Sequence, residues 1–462
     1  MKEILIISLL GILVLAIDLL KLRKLELPVI IGGLLSLVAC SVMDWDKNEI
    51  PFAQYGGMLQ FDNFALGFTI VFSVIAIGWY LITFDSYSGH ASNRTDIYAL
   101  SIFSLCGAVV MASYTNLVML FLGIEILSIP LYVLAASDRK NLLSNEAGFK
   151  YFILGSLASA VLLFGIALLY GSLGTFDLNA IHEKIAAMPQ YSAMMIIGTA
   201  MILVGFAFKI SVAPFHMWAP DVYQGAPTVI TAFMATIVKG AAFAGMYKLF
   251  VVALHPLPDA FAKAFAIMIG LTLIISNVTA VVQTSSKRLL AYSSLSHAGF
   301  MLGFIMMSEN ASAKYLMFYV LSYGIASLCA FAVLQHVSSI QNGDDSMTAF
   351  KGLVKRNPVM AGAMTVSLLS MAGIPPLSGF LAKYYVITNV MSGGHMTLVI
   401  VMILTSAISA YYYLKVIIAM FTPIENAGRI VVGNLQKSIY LIFTLLLVVM
   451  FFAASLLELI EM

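Results

Sequence analysis

Charge is what this 462-residue chain has least of: Asp, Glu, Lys and Arg make up 10% of it, against about 25% in soluble domains. Cysteine is scarce as well. Cys40, Cys106 and Cys329 are odd in number and lie in apolar runs, so they define neither a disulfide framework nor a metal site. There is no dinucleotide fingerprint, no P-loop, no cysteine ladder for iron–sulfur and no pair of haem ligands. The net charge of +2, from 24 basic and 22 acidic residues, leaves no face of one sign. These shortages exclude a soluble enzyme, a disordered chain and a nucleic-acid binder. Any redox role would need borrowed cofactors.

What is present is apolar residue, 61% of the chain, with a mean hydropathy of +0.99. At ~20 apolar residues per crossing, that composition could fill ~14 membrane helices. Apolar runs bounded by charge, proline or polar clusters fall near 4–20, 28–43, 64–84, 97–113, 117–136, 151–171, 193–214, 228–250, 260–282, 289–307, 315–336, 359–391, 397–421 and 439–460. The first run lacks a small-residue cleavage site and carries Asp18, so it is read as a retained span. No connection is long enough for a soluble domain, and the longest, 337–358, reads as a polar linker. The expected architecture is an all-α membrane protein of about fourteen helices.

Lys and Arg divide unequally between alternate loops, 14 against 6. The richer side, which includes Lys287 and Arg288, should be cytoplasmic, with both termini opposite. Four basic residues then remain inside apolar runs: Lys209, Lys239, Lys383 and Lys415. Glu125 and Asp18 are the intramembrane acids. A charge at a span centre costs ~2.5–3.5 kcal/mol on insertion scales, so such groups face the bundle interior or water. Lys415 is near a span end and can snorkel. Asp18 has Lys21 three residues on and reads as a structural helix-surface pair. Glu125, Lys209, Lys239 and Lys383 are deep, and packing alone does not need titratable groups there.

Two helices look interrupted. One is Lys209-Ile210-Ser211-Val212-Ala213-Pro214-Phe215-His216-Met217-Trp218-Ala219-Pro220. The other is Met371-Ala372-Gly373-Ile374-Pro375-Pro376-Leu377-Ser378-Gly379, with Lys383 following. Proline breaks a helix, and non-helical backbone survives at membrane depth only when buried in protein or facing water. With spans 4–8 and 9–13 taken as units, the break falls in the fourth helix of each. Five is odd, so the second unit enters from the opposite face, which implies an inverted repeat. The expected divisions are 1–90, 97–253, 258–422 and 423–462. His216 lies in the first break. His297, expected near a span entrance, has Ser293, Ser294 and Ser296 beside it and suits a wet path. Glu125 near Lys209 would hold that lysine protonated, and separating them would discharge it. The residues therefore point to proton translocation with an unknown driver.

The stretch Pro214-Phe215-His216-Met217-Trp218-Ala219-Pro220-Asp221-Val222-Tyr223-Gln224-Gly225-Ala226-Pro227 closely resembles the hallmark of the subunit N family. That family comprises antiporter-like membrane-arm subunits of proton-pumping NADH:quinone oxidoreductase (respiratory complex I). Leu290–Gly299 and Ala372–Lys383 resemble the same family, and the likeness spans essentially the whole chain. It implies fourteen helices on two inverted five-helix repeats, with Glu125, Lys209, Lys239 and Lys383 as the relay residues of helices 5, 7, 8 and 12. It also implies that NADH, FMN, iron–sulfur clusters and quinone are held by partner subunits, with no cofactor in this chain. Other membrane-arm subunits, sister antiporter-like subunits among them, and the lipid of a bacterial inner membrane would be its surroundings. A multisubunit cation/proton antiporter is the alternative, against which Tyr223–Pro227 argues.

Overall fold

The computed structural model describes residues 2–47, 57–86, 94–188, 190–256, 258–307, 312–341, 343–424 and 428–459. The expected boundary at residue 90 and the expected end of the last span at 460 lie outside them. A lipid interior offers backbone groups no water, and the chain answers with helices. They are α1 Lys2–Leu19, α2 Glu26–Met43, α3 Asn63–Ser86, α4 Arg94–Ser113, α5 Leu117–Ala135 and α6 Leu142–Leu173. After the short surface helix α7, Leu178–Ala186, come α8 Ala193–Ile210, α9 Trp218–Gly225 and α10 Thr228–Ala253. The remainder are α11 Asp259–Val281, α12 Ser286–Met306, α13 Ser312–Ile340, α14 Pro358–Ala372, α15 Ser378–Ser392, α16 Met396–Phe421 and α17 Asn434–Phe452. β pairing among the described residues is limited to isolated bridges.

Twelve of these helices are long and apolar enough to cross a bilayer. With α1 and the α14–α15 pair, the crossings among the described residues come to the fourteen expected. The most apolar-enclosed window, in α10, is 100% buried, whereas those of α2 and α17 are 28% buried. So α10, flanked by α12 and α13, is the axis of the bundle, and α2 and α17 lie at its edge. Small residues bring backbones together. A side chain at Gly107 would meet the Leu127 nitrogen at 2.3 Å, joining α4 to α5. Gly165 and Gly198 do the same for α6 and α8.

Both expected breaks are present, and they are built alike. α8 ends at Ser211, which is left-handed (φ 61°), and the Val212 N–H reaches back to Ala207 O. α14 ends at Gly373 (φ 84°), and the Ile374 N–H reaches back to Leu369 O. This is a helix stop that satisfies orphan carbonyls. Three residues beyond each left-handed position stands a proline, Pro214 or Pro376. The broken helices are the seventh and twelfth crossings. That interval is odd, so they run through the membrane in opposite senses.

Some peripheral expectations need correction. Asp18 pairs with Arg23 at 2.7 Å and not with Lys21, because the chain turns left-handed at Lys21 and swings Arg23 back. Nearby, Glu26 is fully buried and pairs with Arg94 at 2.7 Å, with Thr95 donating a second bond. The 337–358 linker is more than a polar tether. Ser285 and Ser286 bond to Asp345, so it pins the start of α12.

The second break depends on a bare glycine. A Cβ at Gly379 would stand 1.9 Å from Ser370 O, which is backbone. Gly379→Ala should cost about 3 kcal/mol, since overpacking against backbone has nowhere to relax. Gly362→Ala, in open space on the same broken helix, should cost nothing. Thermal unfolding of the purified complex and chain abundance in membranes would separate the two.

Candidate functional site

Lys209 is the penultimate residue of α8 and buried. Its Nζ donates to Ser128 Oγ at 2.6 Å and Tyr132 Oη at 3.3 Å, both on α5. It also lies 5.6 Å from the centre of the Tyr132 ring. Glu125 shares this stripe, because helical spacing puts residues three and seven apart on one face. Yet no ion pair joins it to Lys209 among the described residues, and its buried Oε1 has no hydrogen-bond partner. Lys209 therefore meets the α5 face that carries Glu125, one to two turns along from it. The lysine is bound by hydroxyls.

Lys239 occupies the middle of α10, directly after a π-helical turn, Met234–Val238. Such turns re-aim the side chains that follow. Its Nζ donates to Ser294 O at 2.8 Å and to Ser294 Oγ at 2.9 Å, both on α12, and lies 5.7 Å from the Tyr223 ring centre. Three residues along α12 is His297. It is buried in the middle of the helix and not at a span entrance as expected, because α12 begins at Ser286. Its Nδ1 is 2.9 Å from Tyr319 Oη and its Nε2 is 3.4 Å from Tyr413 Oη, which in turn bonds Ser293.

A cavity of about 10 Å³, room for roughly one water, adjoins His297, Tyr319, Ser322, Tyr323 and Ser370. Ser370 is in the last turn of α14, so this space leads from His297 to the second break. There Lys383, buried on α15, donates to Ala372 O at 3.0 Å and Ser409 Oγ at 3.4 Å, over the Phe300 ring. It thus places a cation on the last carbonyl of α14, where the helix dipole favours one.

His216 is buried within the first break, but its Nδ1 has no partner and no hydrogen bond joins it to the lysines. Lys415 is exposed on α16 and stands apart from the row. The sequence reveals only some of the hydroxyls. Ser294 is legible beside His297, and Ser128 and Tyr132 from their spacing to Glu125, whereas Tyr319, Tyr413 and Ser409 carry no local signal. Hydroxyls both give and accept protons. A lysine that donates to a hydroxyl can exchange its proton where a tight carboxylate would trap it.

Two oppositely running broken helices, with buried lysines between them, define an antiporter-like membrane protein. The family described as NADH:quinone oxidoreductase/Mrp antiporter, TM, matches residues 114–409. NADH-quinone oxidoreductase subunit N of Cytophaga hutchinsonii is 41% identical over 428 residues, 92% of this chain and 91% of the relative. A chain of respiratory complex I from Thermus thermophilus with bound aureothin superposes with a TM-score of 0.82 at 30% identity, covering 99% of this chain and 98% of that one. A chain of the Mrp complex from Dietzia sp. DQ12-45-1b shares the fold, with a TM-score of 0.84 at 20% identity over 99% of this chain and 95% of its own. The chain belongs to the NADH-quinone oxidoreductase subunit N family.

If Glu125 acts on Lys209, it does so without a hydrogen bond at Oε1, as a charge. Glu125→Gln and Glu125→Ala should lower coupled proton movement in membrane vesicles alike, within about two-fold of each other, because each removes the same field. A clearly milder glutamine variant would reveal a polar contact instead. Lys415→Ala should behave as wild type in the same assay.

Proposed function

We propose that this chain is the proton-translocating membrane subunit of a respiratory NADH:quinone oxidoreductase, answering quinone reduction in partner subunits by moving protons along Lys209, Lys239, His297 and Lys383. The observation that carries this reading is the row itself. Each lysine is buried and each holds a hydroxyl, and the row runs from the first break to the second. Glu125 sets the charge of Lys209, Lys239 crosses to the second half, and Lys383 is the last carrier. His297 bridges the interval through its tyrosines and the adjoining cavity. His216 is a subsidiary group of the first break.

The repeats run over 97–253 and 258–422, flanked by 1–90 and 423–462. NADH, FMN, iron–sulfur clusters and quinone belong to partner subunits, and the redox chemistry is theirs. The excess of Lys and Arg in alternate loops supports a bacterial inner-membrane orientation with both termini on the non-cytoplasmic side. The exposed apolar faces of α5, α6 and α16 suit lipid and neighbouring membrane-arm subunits. A cation/proton antiporter subunit is the alternative reading. The 41% identity to a subunit N against 20% to the Mrp chain favours the first.

Substitution at Lys383 tests the relay. Lys383→Met removes the charge and roughly keeps the volume, while Lys383→Arg keeps the charge but cannot release its proton. Both should lower proton translocation roughly ten-fold or more if a proton carrier has been lost. Lys209→Ala should do the same in an assembled complex. If Lys383→Arg pumps as wild type, Lys383 is a fixed charge and no carrier.

A further inference from the structure

Lys287 and Arg288 count in the sequence as two loop charges on the basic side. The structure uses them differently. Lys287 is the second residue of α12 and is buried, 7% exposed. Its Nζ donates to Gln224 O at 3.0 Å and to Ala226 O, the carbonyls at the C-terminal end of α9. Arg288 Nη1 donates to Asp221 Oδ1 and to Gln224 Oε1, each at 2.9 Å, also on α9. Asp221 is further tied to Lys150 of α6 at 3.2 Å, and Lys150 to Glu146 at 2.7 Å. The eight-residue α9 is thus gripped at its carbonyl end by a cation and along one side by an ion-pair ladder. A Cβ at Gly225 would strike Leu143 O at 2.4 Å, so α6 closes the other side.

What α9 carries makes this grip matter. Trp218 stacks on Phe208, next to Lys209, with ring centroids 4.9 Å apart, and its Nε1 donates to Phe208 O at 3.1 Å. Tyr223, at the other end of α9, lies beneath Lys239. A shift of this half-helix therefore changes the surroundings of both lysines at once.

We propose that Lys287 and Arg288 are positioning residues, through which the second half of the molecule clamps α9 and thereby fixes the setting of Lys209 and Lys239. A cation at a helix C-terminus is favourable. Removing Lys287 leaves two buried carbonyls without a donor. Released, α9 frays, Trp218 and Tyr223 lose their places, and the hand-over between the lysines fails while quinone reduction in the partners continues. The inference rests on the proton-translocating role argued above.

The experiment uses the whole purified complex, with Lys287→Met, Lys287→Arg and Arg288→Gln, and two readouts. The first is protons moved per quinone reduced in reconstituted vesicles, a ratio that a mere loss of assembled complex leaves unchanged. The second is amide hydrogen exchange over residues 218–226. Lys287→Met should lower the ratio about two-fold or more and speed exchange in that segment, and Lys287→Arg should restore both. If Lys287→Met does not assemble, Arg288→Gln, at the wetter rung, carries the test with the same expected direction. Wild-type ratio and exchange in the assembled variants would overturn the clamp. Lys209→Ala in the same preparation separates the two ideas. If it pumps as wild type, the proton-relay role falls, and the exchange readout still judges the clamp.

Discussion

Breaking a helix inside a membrane leaves N–H and C=O groups with no water to take them, and the rest of this structure is arranged around that constraint. At the first break the Ala213 N–H finds Thr272 Oγ1 on α11 at 2.8 Å. Phe208 O is met by the indole of Trp218. At the second, the Gly379 N–H donates to Ser370 Oγ at 3.2 Å, and Ala372 O receives Lys383. Lys287 closes the far end of α9. Side chains from neighbouring helices thus complete each break, and two of them are lysines. The groups that make the breaks tolerable are in part the groups that make the interior titratable.

A buried ion pair would have been the other way to keep such lysines. Its desolvation often cancels its attraction, and it would hold the proton in one place. Hydroxyl and carbonyl partners satisfy the ammonium without fixing it. Lys209 on Ser128 and Tyr132, Lys239 on Ser294, and Lys383 on Ser409 repeat one solution at three places. Glu125 stands aside from those bonds. Carboxylates take up tight pairs at the membrane edges instead, as Asp18 does with Arg23 and Glu26 with Arg94.

Depth along a helix is legible in a sequence, and so are proline breaks. That is why the fourteen crossings, the two interruptions and the deep placement of Lys209, Lys239 and Lys383 could be read before the fold. What a residue faces is not legible. Glu125, Ser128 and Tyr132 share one face of α5, but Lys209 meets that face one to two turns along from Glu125. Lys287 reads as a loop charge because it stands at a span boundary, yet α9 lies over it and buries it. His297, expected near a span entrance, stands mid-helix with the serines that suggested a wet path around it. They belong to α12 and donate or accept within the bundle.

Of the three row lysines, Lys239 is the one whose hydrogen bonds leave its own half of the chain. Its register on α10 is set by the π-helical turn Met234–Val238 just before it. A π turn holds one residue more than an α turn, and taking that residue out rotates everything beyond by ~100°. With that rotation Lys239 would leave Ser294 and Tyr223 and point toward other walls of a helix that is buried on every side. There it would be an unpaired cation in hydrocarbon. The local irregularity is therefore what lets one fully enclosed helix bond across the two halves, which also meet where α9 packs on α12 and where the Ala213 N–H reaches Thr272 on α11.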